Sequence, residues 1–174
     1  MFQIGDLIIY GGTGVCRVQE ITSREVPDGG TRPFYTLQPL YQRCTITAPA
    51  DSDKVFMRPI ISGSEADRLI DTIPHRSAEA YHDRALRQLA KYYEDKIKSH
   101  DCGELIELTM SIHAKMELAA SQNRKIGSVD ERFMKRAQEL LFGEFAAALG
   151  IEPDEVPGYI RDRIENQPKL GTNS

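Results

Sequence analysis

Histidines, cysteines and a glycine run are the places where this sequence could carry chemistry. His82, His100, Cys102 and His113 suggest a metal, because imidazole and thiolate are transition-metal ligands and His100 stands two residues from Cys102. None of them has zinc-finger or metalloprotease spacing, and His100-Asp101-Cys102-Gly103 reads as a solvated turn, so no metal and no cofactor is expected. A metal-dependent activity at these four residues stands as the enzyme alternative. Gly11-Gly12-Thr13-Gly14 has the look of a phosphate cradle but lacks a Lys-Ser/Thr ending and a following helix, which leaves a hairpin turn. Cys16, Cys44 and Cys102 are odd in number and far apart, so no disulfide framework is indicated. No nucleophile elbow occurs, and catalysis is not expected.

Binding chemistry is better represented. The chain of 174 residues is 40% hydrophobic with a net charge of −4, enough to bury real cores but too acidic for indiscriminate affinity to nucleic acid. The distribution is uneven. Leu86 to Arg136 holds ten basic residues against eight acidic ones, whereas Glu139 to Glu165 holds seven acidic residues against Arg161 and Arg163. Neither a signal-peptide pattern nor an apolar run of membrane-spanning length is found, and a cytoplasmic protein with no membrane partner and no small-molecule substrate is expected.

Two kinds of element must position these residues. Leu7–Tyr10, Gly14–Ile21, Phe34–Leu37 and Cys44–Ala48 are short, β-branched or aromatic, and separated by glycine-rich turns, which predicts a small antiparallel barrel or strongly bent sheet. Val15, Arg17, Gln19 and Ile21 fall on one face of the second strand and Cys16, Val18 and Glu20 on the other, so that strand does not alternate cleanly. Beyond Pro59 the periodicity turns helical. Ser62 caps a short helix that ends before Pro74, and Ser77 caps a second from about Ala78 to Ser99, with Leu86, Leu89, Tyr93 and Ile97 in its stripe. A third runs from about Glu104 to Asn123 with Leu105, Leu108, Ile112, Met116 and Leu118 or Ala119 inward. A fourth, about Val129 to Leu149, opens on a Ser128–Glu131 capping box. The fold class is α+β in two domains: a β domain over 1–60, a helical hinge over 61–76, a compact helical domain over 77–165 and a disordered tail over 166–174.

Phe2-Gln3-Ile4-Gly5-Asp6-Leu7-Ile8-Ile9-Tyr10, Val18 to Ile21, Phe34-Tyr35-Thr36-Leu37 and Thr45-Ile46-Thr47-Ala48-Pro49-Ala50 together resemble the opening of the CarD/CdnL family of RNA polymerase-binding transcription regulators. Arg132, Ala137, Leu141 and Glu144 resemble that family's last helix. The resemblance implies a Tudor-like N-terminal domain that pairs with the polymerase β subunit, and a helical domain that meets promoter DNA at the upstream edge of the bubble and modulates open-complex stability. By position it implies polymerase contact at Arg24. The family's second docking arginine is Thr47 here, with Arg43 nearby. The family's tryptophan wedge falls at Leu86, a residue that fits minor-groove insertion and also fits the core stripe, with core burial slightly favoured. Lys91 matches a basic position of the family, and Arg87, Arg124, Lys125, Arg132, Lys135 and Arg136 are candidate phosphate contacts by type and region. With no tryptophan and near-neutral helices, the other reading is a polymerase-binding adaptor whose helical half binds a protein.

Overall fold

The computed structural model describes residues 1–167 and divides into two units, Met1–Ile61 and a helical unit that begins at Ser62. The first is an antiparallel sheet of five strands: β1 (Leu7–Tyr10), β2 (Gly14–Glu25), β3 (Thr31–Pro39), β4 (Ile46–Pro49) and β5 (Met57–Pro59). Their order is β4-β3-β2-β1-β5, so the hydrogen-bonded ladder is open, with β4 and β5 at its two ends. Gly11–Thr13 forms the connection that pairs Tyr10 with Gly14, the hairpin expected of the glycine run. Gly11 sits at a φ of 46°, and a Cβ there would stand 2.8 Å from Val55 Cγ1, so this turn needs glycine for both conformation and space.

The imperfect alternation of β2 has a geometric cause. Its register with β3 shifts between Val18 and Glu20, a bulge that places Cys16 and Val18 inside before it and Ile21 inside after it. Ile8, Cys16, Val18, Tyr35, Leu37 and Ala48 form the core on that inner face, with Phe2, Tyr10, Ile21, Ile46 and Met57 packed against them. The Tyr35 hydroxyl accepts the Phe2 backbone N–H at 2.9 Å, tying the chain's start to the sheet.

The helical unit contains α1 (Gly63–Thr72), α2 (Leu86–Ile97), α3 (Cys102–Ser121), α4 (Ser128–Leu149) and α5 (Val156–Glu165). Ser62 caps α1 by accepting the Glu65 N–H at 3.1 Å, as its sequence indicated. Within the stretch read as a hinge, α1 packs on α4 and α5 as part of the helical unit. Asp71 accepts from Arg163 at 2.7 and 2.9 Å, and Asp67 accepts from the Tyr159 hydroxyl at 2.5 Å. Gln167 Nε2 donates to Asp71 Oδ1 at 3.0 Å; the remainder of the tail expected over 166–174 lies outside the described residues.

Three helix readings are corrected. The second helix starts at Leu86 rather than Ala78, because tertiary contacts hold 76–85 in a non-helical strap. Tyr81 stacks on Tyr92 with ring centroids 3.7 Å apart, Ser111 Oγ donates to the Glu79 carbonyl at 2.7 Å, and Asp83 Oδ1 accepts the Ala85 N–H at 2.8 Å. The cap of α4 is Gly127, not Ser128, and the acid that reaches back to it is Asp130, not Glu131. Asp130 is drawn inward, where its Oδ1 accepts from the Tyr93 hydroxyl at 2.6 Å and from Lys115 Nζ at 2.9 Å. Finally, Met116 and Leu118 are 40% and 46% exposed, and Met116 lines an open groove between α3 and α4 rather than the core.

Candidate functional site

The first candidate surface is the outer face of the sheet. Beyond the bulge, the pairing of Glu20 with Thr36, Thr22 with Phe34 and Arg24 with Arg32 sets these residues opposite to buried Tyr35 and Leu37. Thr47, paired with Thr36, and Pro49, paired with Phe34, extend that face across β4. Arg24 is exposed, and its guanidinium carbon lies 5.3 Å from the centroid of the Phe34 ring, a cation–π contact that presents a pre-oriented arginine. Arg24 and Thr47 therefore share one face. Arg43 is exposed in the bend between β3 and β4. At one end of this face Arg32 clasps Asp51 in a two-pronged pair, with contacts of 2.9 to 3.2 Å, and the Asp51 carboxyl is held below its ordinary range by that hydrogen bond. On the other side of β4 no strand is found among the described residues, so a sheet edge lies beside Thr47.

The second surface is on the helical unit, where the structure sorts the expected cations into two places. Arg87, Lys91 and Glu94 recur at four- and three-residue steps along α2 and so share one side of it. Glu94 Oε2 accepts from Arg136 Nη1 of α4 at 2.7 Å, and Arg132, one turn earlier on α4, lies 5.1 Å from the Phe133 centroid. Arg87, Lys91, Arg132 and Arg136 are thereby gathered along the α2/α4 seam. Leu86 opens α2 at 64% exposure, which corrects the reading that placed it in the core: the buried stripe of α2 is Leu89, Tyr93 and Ile97, and the helix starts only at Leu86. Lys91 is paired with Asp95 at 3.6 Å and Arg136 with Glu94, whereas Arg87 and Arg132 have no carboxylate within ion-pair reach among the described residues.

Arg124, Lys125 and Lys135 belong elsewhere. They rim a groove between α3 and α4 together with Met116, Ile126 and Met134, and they too have no ion-pair partner among the described residues. This groove was not visible in the sequence, where Met116 reads as one more core residue.

The histidines and Cys102 do not converge. Among the described residues no group of three or more His, Cys, Asp or Glu side chains stands where it can hold a metal ion. Cys102 is buried at the start of α3 and donates its thiol to buried Glu144 at 3.1 Å, His113 faces Glu117 at 3.2 Å on the exposed side of α3, and His82 is exposed in the strap. No helix among the described residues is long and apolar enough to cross a membrane. Residues 2–61 match the family model of the CarD-like/TRCF RID domain, a match that ends where the N-terminal unit ends.

Proposed function

We propose, from the match of residues 2–61 to the CarD-like/TRCF RID domain, an RNA polymerase-interacting domain, that the chain is a bacterial transcription regulator that docks on the polymerase β subunit and steadies promoter DNA at the upstream edge of the bubble. The observation that carries the polymerase half is the match itself, over the whole β unit. We read the bent, open sheet as Tudor-like, and its β4 edge as the place where a strand of the β subunit pairs. Unpaired N–H and C=O groups supply affinity there, and Arg24, Thr47 and Arg43 supply specificity from the adjoining face.

For the DNA half, the support is the α2/α4 seam. Arg87 and Arg132, without carboxylate partners, and Lys91 and Arg136, already paired, offer cations to phosphates, while exposed Leu86 enters the minor groove as the apolar wedge. The same residues must favour the open complex over the closed one, because a ligand shifts an equilibrium only by its differential affinity. No catalytic step is part of this function.

The test is an open-complex lifetime measured with polymerase on a promoter that the protein affects. Leu86→Ala is expected to alter folding stability by less than about 0.5 kcal/mol, because the side chain is 64% exposed, yet to shorten the lifetime. Arg24→Glu is expected to abolish co-purification with the β subunit. A Leu86→Ala protein that still lengthens the lifetime as the parent does would remove the wedge from this reading and leave the polymerase contact standing.

A further inference from the structure

We propose that the groove between α3 and α4 is a docking site for an acidic amphipathic helix of a partner protein. It goes beyond the polymerase and DNA contacts and does not depend on them. The groove encloses about 500 Å³ beside Met116, Ala120, Ile126 and Met134. A second hollow of about 360 Å³ continues it past Met134 along Met110, Ala114 and Phe142. The two share Met134 and Gln138, so the apolar floor runs without a break from the α3–α4 turn back toward the middle of α3. From Met110 to Ala120 is ten residues of helix, about 15 Å at the α-helical rise, which matches about three turns of a bound helix.

The chemistry of the floor and rim selects the occupant. Methionines provide an adaptable, polarisable apolar surface of the kind that accepts the leucine or phenylalanine stripe of an amphipathic helix. A phosphate backbone gains nothing from such a floor, which distinguishes this place from the α2/α4 seam. At the turn end, Arg124, Lys125 and Lys135 face only Glu131 around the rim, and none of the three has an internal ion pair among the described residues. At the far end, the ionisable groups are His113 and Glu117, already facing each other at 3.2 Å. The charge is therefore concentrated at one end, and it complements an acidic last turn and the negative end of a helix dipole. A bound helix lies with its acidic C-terminal turn against Arg124, Lys125 and Lys135.

The chain carries its own reporters for a test. Of its five methionines, Met110, Met116 and Met134 line the groove and its continuation, while Met1 and Met57 belong to the β unit. The probe is a synthetic helix of about 14 residues with leucines at three- and four-residue steps and glutamates in its last turn, and the control replaces the glutamates with lysines. Added to the full chain labelled at its methionine methyls, the glutamate peptide is expected to shift Met110, Met116 and Met134 and leave Met1 and Met57 unmoved. In fluorescence anisotropy, Lys125→Glu combined with Lys135→Glu is expected to weaken the glutamate peptide roughly tenfold and to improve the lysine peptide, with circular dichroism unchanged. No shift, shifts spread over all five methionines, or equal binding of both peptides overturns the proposal. So does displacement of the peptide by duplex DNA that moves the same three methyls, a result that would give the groove to nucleic acid.

Discussion

Asp130 is one of two carboxylates buried among the described residues of the helical unit. It is 3% exposed, accepts from Tyr93 and Lys115 on one oxygen, and receives the Gly127 backbone N–H at 3.3 Å on the other. Asp130→Ala would leave a partly buried ammonium and a buried phenol without this partner. A loss of about 3 kcal/mol in urea denaturation of the helical transition is expected, the cost of breaking one side of a buried ion pair. Burial and the Asp130 acceptor also hold the Tyr93 hydroxyl well above its ordinary value of 10.0, so the proton stays on in the folded state. In the β unit, burial first and nearby Cys44 second push the Cys16 thiol from 9.0 up to about 11. A raised folded value means that the unfolded chain gives up its proton first. The resulting stability is whole below pH 9, drains between 9 and 11 and is flat beyond. The β unit is expected to lose roughly 3 kcal/mol across that window, and Cys16→Ala, whatever its packing cost, is expected to remove this pH slope.

At the scale of the element, the start of α2 is the least supported helix end that the proposed function uses. Its cap is Ala85, which offers no side-chain acceptor to the first turn. Ala85→Ser is expected to raise the melting temperature of the helical unit, through about 1 kcal/mol of added stability, without altering the open-complex lifetime. The same element shows where sequence reading stops. Ser62, the stripe Leu89-Tyr93-Ile97 and the hairpin at Gly11–Thr13 were legible because each is decided by neighbours in the chain. The strap over 76–85 was not, since Tyr81 and Glu79 are held by Tyr92 and Ser111, residues eleven and thirty-two positions away. Strand β5 was missed for a related reason: three residues, Met57-Arg58-Pro59, have no period of their own and become a strand only against β1. Among the candidate site residues, type and region picked out the cations, but a one-dimensional reading cannot separate the α2/α4 seam from the α3/α4 groove. That separation depends on Glu94 reaching Arg136 and on Met116 lying uncovered.

At the scale of the molecule, the proposed function divides the labour between the two units, and each should act as its own part. The fragment 1–61 is expected to capture the polymerase β subunit in a pull-down while the fragment 62–174 is not, a division that co-purification of either fragment can check. The net charge of −4 argues for little DNA affinity of the helical unit on its own, so in the proposed function the polymerase tether supplies the local concentration that brings it to the promoter. Free duplex is therefore expected to bind weakly in a gel shift, with the band appearing only when polymerase is present. What points the tether outward is the bulge in β2. Before Gln19 the even-numbered positions of that strand, Cys16 and Val18, face the core; after it the odd-numbered Ile21 does. Arg24 is even, and it owes its place on the solvent side to one uncounted residue. Were Gln19 drawn into the ladder as a paired residue, strict alternation from Cys16 and Val18 would turn that arginine toward the core and Ile21 to solvent, so the irregular beat in the strand is what keeps the proposed docking arginine available to a partner.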